Sequence, residues 1–273
     1  MGAPQATTLD VALVQYDIAW ERKTDNHERI ERMLLDAGVS SGALVLIPEL
    51  GDTGFSSNLE QICNDGGLTL AWARRMAEDH GWILEVGHAE QAPDGRGRNC
   101  ATIVHPDGRV GTYQKMHLIS VLHEDRTYDP GRHVLIAELA DGVSLSPFIC
   151  YDLRFPELFR LSQDLGANLL TVIACWPTER IDAWRQLLIA RAIENQSWVL
   201  GCNRTGTDPN LSFGGTSMVI APDGTVLAEA GRTEEVVLKA TLDIETGMEF
   251  KNRFPFTGEK RPELLGSVEV VRI

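Results

Sequence analysis

Hydrophobic positions along the chain fall into short apolar runs and longer stretches with helical spacing. Residues 9–18 form a mostly apolar run that predicts a buried strand. Asp25, with a carboxylate three residues later, is typical of a helix N-cap, and apolar residues then recur at helical spacing from Ile30 until Gly38. A second amphipathic stretch predicts a helix over 68–80. The chain therefore opens with alternating strands and helices.

The middle of the chain adds hairpin signals to this pattern. Asp-Gly pairs at 94–95, 107–108 and 141–142 separate strand-like runs and are typical of tight turns. The further predicted strands are 43–47, 82–89, 99–105, 110–117, 134–139, 143–150, 168–175, 198–203, 216–221, 226–229 and 236–242, and the further predicted helices are 155–165 and 181–196. Such a mixture implies mixed sheets covered by helices. Two such halves facing each other would form a four-layer αββα sandwich, although periodicity alone does not select it over other α/β (α+β) folds.

Composition narrows the class of protein. The 273 residues are 43% hydrophobic and 23% charged, with no low-complexity tract or linker, so we expect one domain over 1–273. The net charge of −14 repels phosphate backbones and anionic membrane surfaces, and we expect neither nucleic acid nor a membrane as partner. The longest mostly apolar run, 169–176, is too short to cross a bilayer.

Cysteine and histidine usage argues against metal and disulfide chemistry. The five cysteines are an odd number without C-x-x-C spacing, and the seven histidines show no H-E-x-x-H pattern. The N-terminal residues lack the charged and apolar regions of a signal peptide. We therefore expect a cytoplasmic protein with reduced thiols, no metal and no cofactor.

Three reactive side chains stand at the ends of apolar strands, where α/β proteins bind ligands. Cys150 closes a predicted strand, and Pro156 marks a helix start shortly after it, so the turn between them would expose a nucleophile whose thiolate is favoured by helix N–H groups and a cation. Lys115 would hold an oxyanion, and Glu49 would move protons. Taken singly, each has an ordinary explanation: an inert buried thiol, an edge lysine and an ion-paired glutamate.

Together, the three segments resemble the nitrilase superfamily of carbon–nitrogen hydrolases. The resemblance rests on P-E-L-x-x-T-G-F at 48–55, Y-x-K-x-H-L at 113–118 and I-C-Y-D-L-R-F-P-E-L at 149–158, and it continues through 174–177, 184–196, 201–204, 213–218 and 222–224. Three motifs in the family's order, over nearly the whole chain, are a specific match. The resemblance implies the αββα sandwich, with two or more copies packing through helices.

The resemblance also assigns roles. Glu49 matches the family's base, Lys115 its lysine and Cys150 its nucleophile, with the backbone N–H of Tyr151 as a second oxyanion donor. Glu124 matches a second glutamate that positions the substrate and the lysine, although an exposed loop acid is an equally good interpretation. The implied reaction is hydrolysis of a small-molecule amide through a thioester, with release of ammonia.

Within the superfamily, the flanking motifs are most similar to the ω-amidase group, which acts on 2-oxo-dicarboxylate monoamides. Cys175 departs from this group, where Asn is frequent. A distal substrate carboxylate would need a cation, for which Arg154 and His117 are the nearest candidates, and Trp176 would wall the pocket. Arg154 in an ion pair and Trp176 in the core are the structural alternatives.

Other functions remain open at this point. A nitrile, a carbamoyl group or a deaminated-glutathione-like amide would suit the same three residues. A thiol-protease-like pair of Cys150 with His117 or His123 is a different enzyme class, and a metal hydrolase is a weaker one. A scaffold that keeps the fold without the chemistry is the non-enzymatic alternative.

Overall fold

The computed structural model describes residues 8–63, 66–140, 142–261 and 263. Its strands are β1 (Thr8–Gln15), β2 (Leu44–Leu46), β3 (Ile83–Gln91), β4 (Gly97–Val104), β5 (Val110–Gln114), β6 (Ala137–Ala140), β7 (Val143–Ile149), β8 (Leu169–Ala174), β9 (Trp198–Asn203), β10 (Thr205–Thr207), β11 (Ser212–Gly214), β12 (Met218–Ile220), β13 (Val226–Glu229) and β14 (Val236–Asp243). Its helices are α1 (Lys23–Asp36), α2 (Leu59–Cys63), α3 (Leu68–His80), α4 (Glu124–Thr127), α5 (Pro156–Asp164), α6 (Ile181–Asn195) and α7 (Ile244–Arg253).

Two six-stranded mixed sheets form the centre of the molecule. The first has the order β14-β1-β2-β3-β4-β5, and the second has the order β13-β12-β9-β8-β7-β6. In each sheet the three central strands run parallel (β1, β2 and β3 in one, β7, β8 and β9 in the other) and the outer strands pair antiparallel. The parallel strands β8 and β9 are mostly apolar and buried throughout because both of their faces are covered.

Helices cover the outer face of each sheet. Ile30 of α1 and Met76 of α3 pack with Val14 of the first sheet, while Trp184 and Leu188 of α6 belong to the core that includes the second sheet. The inner faces of the two sheets share that second core. The predicted αββα sandwich is confirmed.

A close approach between two backbones fixes the segment after β2. Gly87 of β3 lies against this segment, and a Cβ atom added there would come within 2.7 Å of the Glu49 Cα atom. The Gly51 N–H also donates to the Gly87 carbonyl at 2.9 Å. Glycine at 87 therefore allows Glu49 to sit beside β3 at the end of the sheet.

The structure differs from the predicted elements mainly in short segments. The hairpin of β10 and β11 was not predicted, since each strand has three residues and the glycine-containing sequence shows no alternation. The helices α2, α4 and α7 were also missed, and the strand predicted over 110–117 ends at Gln114. Residues 1–7 and Asp141 of one predicted turn lie outside the described residues. Within the described chain, no helix is both long and apolar enough to cross a membrane.

Candidate active site

Lys115 lies between two carboxylates in the interior of the protein. Its Nζ atom is 2.8 Å from Glu49 Oε1, 2.9 Å from Glu124 Oε1 and 3.0 Å from Glu124 Oε2. All three side chains are buried. Burial alone would lower the pKa of Lys115, but Glu124 and Glu49 outweigh it and raise that pKa well above its usual value. The ammonium therefore stays charged.

Glu124 differs from Glu49 in how completely its oxygens are occupied. Glu124 Oε1 accepts from Lys115 and from the Asn99 amide, and its Oε2 accepts from Lys115 and from the Ile119 N–H. A carboxylate offers about four acceptor positions, so those of Glu124 are filled. Burial raises the pKa of Glu124, and the Lys115 ammonium opposes that rise.

Glu49 retains one open acceptor position among the described residues. Its Oε1 accepts from Lys115 Nζ and from Asn99 Nδ2, both at 2.8 Å. Its Oε2 accepts only from the Cys175 N–H, also at 2.8 Å. The second lone pair of Oε2 is therefore the one position at which Glu49 can take up a proton without losing a hydrogen bond.

Cys150 occupies the turn between β7 and α5. Its φ of +46° lies in the left-handed region, which is uncommon for a residue with a Cβ atom and concentrates at functional sites. The residues from Cys150 to Arg154 form a 3₁₀ turn, and Pro156 starts α5. The Cys150 side chain lines the same cavity as those of Glu49 and Lys115.

Asp152 holds this turn in place. The buried Asp152 carboxylate accepts from the Ile149 N–H at 3.2 Å, the Tyr113 hydroxyl at 2.8 Å and the His117 N–H at 2.9 Å. It thereby ties the end of β7 to β5 and to the residues that follow Lys115. These bonds stabilise the backbone conformation that turns Cys150 toward the cavity.

The thiol of Cys150 is neutral at rest. Burial raises its pKa well above the usual value, the Glu49 carboxylate raises it further, and Lys115 lowers it only in part. This differs from the expectation that helix N–H groups and a cation would favour the thiolate. The main reason is burial of the thiol, and the Lys115 charge, which two carboxylates share, offsets it only in part.

Aromatic and aliphatic side chains and two arginines form the rest of the cavity. The remaining lining residues are Phe55, Ile119, Leu122, Tyr151, Arg154, Cys175, Trp176, Pro177, Arg180, Leu211 and Phe213. The Arg154 guanidinium lies 4.8 Å from the Trp176 ring centre and 5.9 Å from that of Tyr151. In the part of the chain that the structure describes, neither the Arg154 nor the Arg180 side chain has an ion pair or hydrogen bond. Two partly exposed guanidinium groups without an ion pair among the described residues therefore line the cavity that contains Cys150.

Known proteins are similar to this chain in sequence and in fold. A model of the carbon–nitrogen hydrolase family matches residues 10–252. The chain belongs to the carbon–nitrogen hydrolase family. It is 36% identical to the 2-oxoglutaramate amidase of Bacillus subtilis, over 93% of this chain and 98% of the relative. It is 33% identical to the ω-amidase YafV of Yersinia enterocolitica, over 91% of this chain and 95% of that one.

Solved structures agree with this assignment. The superfamily protein XC1258 of Xanthomonas campestris, determined with an arsenic adduct in its active site, has a TM-score of 0.86 and 30% identity, over 97% of this chain and all of the other. Nit3 of Saccharomyces cerevisiae, a nitrilase superfamily member, has a TM-score of 0.81 and 27% identity, over 92% of this chain and 95% of the other. As a member of the carbon–nitrogen hydrolase family, the protein is an amidohydrolase that acts on carbon–nitrogen bonds.

The structure of this carbon–nitrogen hydrolase brings most of the predicted site residues together. Glu49, Lys115 and Cys150 line one cavity, and Glu124 contacts Lys115 behind it. The predicted substrate-contacting residues Tyr151, Arg154 and Trp176 also line it.

His117 is not among the residues that line the cavity, so the structure gives its predicted contact with substrate no support. Its Nδ1 atom is 2.9 Å from Asp152 Oδ1, and its ring stacks on Phe155 with a centre-to-centre distance of 3.6 Å. The predicted pairing of Cys150 with a histidine has no geometric support either, since His123 is exposed and also outside the cavity. His117 instead belongs to the network around Asp152.

Sequence reasoning missed three residues at the site: Asn99, Cys175 and Arg180. Asn99 and Arg180 gave no usable signal, because a strand asparagine and a helix-start arginine are both ordinary. Cys175 was noted only as a departure from the ω-amidase group. Its contribution to the site comes mainly from its backbone N–H, which donates to Glu49 and carries no side-chain signature.

Proposed function

We propose that the protein is an ω-amidase that hydrolyses the terminal amide of a 2-oxo-dicarboxylate monoamide through a Cys150 thioester. The observation that carries this proposal is the arrangement of one cavity. Cys150 and the buried Lys115–Glu49 pair line it together with two unpaired arginines. The names of the relatives, 2-oxoglutaramate amidase and ω-amidase, agree with this choice of substrate.

Glu49 acts as the base in the proposed reaction. It takes the thiol proton of Cys150 on its open Oε2 position while the sulfur attacks the amide carbon. A neutral thiol needs such a base, since burial and Glu49 raise the pKa of Cys150. Glu49 then returns the proton to the departing ammonia, and later activates the water that hydrolyses the thioester.

Lys115 and the backbone N–H of Tyr151 stabilise the oxyanion. The raised pKa of Lys115, caused by Glu124 and Glu49 against the effect of burial, keeps the ammonium charged throughout the reaction. Because it is buried and already oriented, it needs no reorganisation when the negative charge develops. Glu124 positions this lysine and does not transfer protons, since its four acceptor positions are filled.

Arg154 and Arg180 bind the carboxylate at the other end of the substrate. The chain as a whole has a net charge of −14, so a local positive charge is needed to hold an anion. Both arginines line the cavity, and Trp176 forms the wall against which Arg154 lies. A nitrile or an uncharged amide would leave these two charges uncompensated, and this favours an anionic amide.

Ammonia release from purified protein tests the proposal. We expect turnover of 2-oxoglutaramate, no turnover by Cys150→Ala, and a loss of about 10²–10³ in kcat for Lys115→Ala. Propanamide and a simple aliphatic nitrile serve as uncharged controls and should be poor substrates. Equal turnover of propanamide and 2-oxoglutaramate would refute the substrate class, and an active Cys150→Ala variant would refute the mechanism.

The quaternary structure is a further part of this proposal. We propose that the chain acts as one domain over 1–273 in the cytoplasm and pairs with a second copy through α5 and α6. Support comes from exposed apolar side chains at these helices and beside them, which are Leu161, Leu165, Ile193 and Phe254. Gln196 Nε2 donates to the Phe254 carbonyl at 2.8 Å, so Phe254 lies next to the end of α6. The four buried cysteines, Cys100, Cys150, Cys175 and Cys202, are free thiols, in keeping with a reducing compartment.

A further inference from the structure

Asn99 lies on β4 directly beside the catalytic lysine. The Lys115 N–H donates to the Asn99 carbonyl at 2.9 Å, which places Lys115, directly after the end of β5, beside Asn99 of β4. The Asn99 side chain has no exposed surface and does not line the cavity. It therefore cannot contact the substrate, and any influence on the reaction passes through its neighbours.

The two donors of the Asn99 amide are both used on carboxylates. Nδ2 is 2.8 Å from Glu49 Oε1 and 3.1 Å from Glu124 Oε1. Its Oδ1, by contrast, is buried and has no partner within the described residues. The opposite amide orientation would direct the Oδ1 atom at two carboxylate oxygens, so electrostatics fixes the orientation observed.

An unsatisfied buried acceptor destabilises a fold, and leucine at the same position would avoid it. The presence of an amide at this position is therefore explained by the two hydrogen bonds that its Nδ2 donates to Glu49 and Glu124. Lys115 and Asn99 each donate to Oε1 of Glu49 and to Oε1 of Glu124, so two donors and two acceptors close a ring.

We propose that Asn99 is a positioning residue that holds Glu49 as an ionised base with only its Oε2 atom free to accept the thiol proton. The inference rests on the proposed role of Glu49. By filling the second acceptor position of Oε1, Asn99 leaves Oε2, which already accepts from the Cys175 N–H, as the atom that exchanges protons.

A neutral donor suits this position better than a second cation. Two buried carboxylates share one ammonium, and burial together with the Glu49 charge raises the pKa of Glu124. A second lysine would neutralise the pair and weaken Glu49 as a base. The Asn99 amide stabilises the charged form of both carboxylates while adding no net charge.

Two variants test this role. Asn99→Leu removes both donors at nearly constant size, and Asn99→Asp keeps the shape but presents an acceptor where donors are needed. For Asn99→Leu we expect kcat to fall by about 10–100-fold with KM for 2-oxoglutaramate nearly unchanged. We also expect the acidic limb of kcat/KM to move to higher pH, since the two carboxylates lose a hydrogen-bond donor. For Asn99→Asp this shift should be larger.

The control is Thr102→Val, which removes a buried hydroxyl from the same strand. Thr102 Oγ1 bonds with His88 and Thr112, away from the site, so its pH profile should match that of the native protein. A uniform loss of kcat in Asn99→Leu with an unmoved acidic limb, or a native profile in Asn99→Asp, would overturn the proposal. Glu49→Gln distinguishes a failure of the proposed reaction from a failure of the role of Asn99. If Glu49→Gln stays active, Glu49 is not the base, whatever the Asn99 variants show. If Asn99→Leu does not fold, the isosteric Asn99→Asp still decides the question.

Discussion

Glu85 is a buried carboxyl group that takes no part in the proposed reaction, and it should make the stability of the protein depend on pH. It lies on β3 and has no exposed surface. Neither of its oxygens has a hydrogen-bond partner among the described residues. Burial raises its pKa from 4.5 to about 8, and the nearby Thr171 hydroxyl offsets this rise only in part.

The direction of the effect follows from proton binding. Between pH 4.5 and 8 the folded state keeps the Glu85 proton while the unfolded state has lost it, so the folded state binds more protons. The free energy of unfolding therefore falls as the pH rises through this window. At about 1.4 kcal/mol for each pH unit, the loss between pH 5 and pH 8 amounts to roughly 3–4 kcal/mol.

Urea denaturation of the native protein and of Glu85→Gln at pH 5 and pH 8 measures this loss. The glutamine side chain has the same shape but does not titrate, so other titrating groups cancel in the comparison. Between pH 5 and pH 8, we expect the free energy of unfolding of Glu85→Gln to rise by about 3–4 kcal/mol relative to that of the native protein. Glu85→Met, which also removes the unpaired polar atoms, should be the more stable variant at both. The same pH dependence in Glu85→Gln as in the native protein would refute the reasoning.

Three further predictions concern the site and the surface. Because burial and Glu49 raise the pKa of Cys150, its alkylation by iodoacetamide should accelerate up to pH 9 and beyond, and a plateau near pH 6 would contradict a neutral thiol. Arg154→Ala and Arg180→Ala should each raise KM for 2-oxoglutaramate by about tenfold or more while leaving the slow hydrolysis of propanamide unchanged; an equal effect on both substrates would exclude carboxylate binding. Leu161→Glu combined with Leu165→Glu should convert a dimer to monomers in sedimentation experiments; a variant that stays dimeric would exclude an interface through α5.

Much of the fold follows from sequence periodicity, and the exceptions have physical causes. The long apolar runs of β1, β7 and β8 and the amphipathic helices α1 and α3 were predicted because burial imposes a strong pattern on them. The hairpin of β10 and β11 is held partly by contacts with distant residues: the Thr205 N–H donates to the Tyr16 carbonyl. Such contacts leave no periodic trace in the local sequence.

The site was predictable only as far as its motifs extend. Glu49, Lys115 and Cys150 were identified through the resemblance to a family, and each alone had an ordinary explanation. Asn99 could not be found in this way. Its importance comes from the register that pairs Cys100 with Gln114 and so sets Asn99 beside Lys115. Strand register depends on tertiary packing and cannot be predicted from the sequence of either strand alone.

In the proposed reaction, the distribution of charge in the cavity would orient the substrate as well as bind it. Near Cys150, two carboxylates, Glu49 and Glu124, share the single Lys115 ammonium, an arrangement that disfavours a third carboxylate there. Arg154 and Arg180 provide two positive charges in the same cavity. A monoamide with one carboxylate then has one favourable direction, with its neutral amide at the thiol and its anionic end at the arginines. The reversed orientation would bring a carboxylate against Glu49 and leave both guanidinium groups without an anionic partner. In our proposal, two effects therefore distinguish the ends of the substrate. The carboxylates near Cys150 repel its anionic end, and Arg154 and Arg180 attract that end.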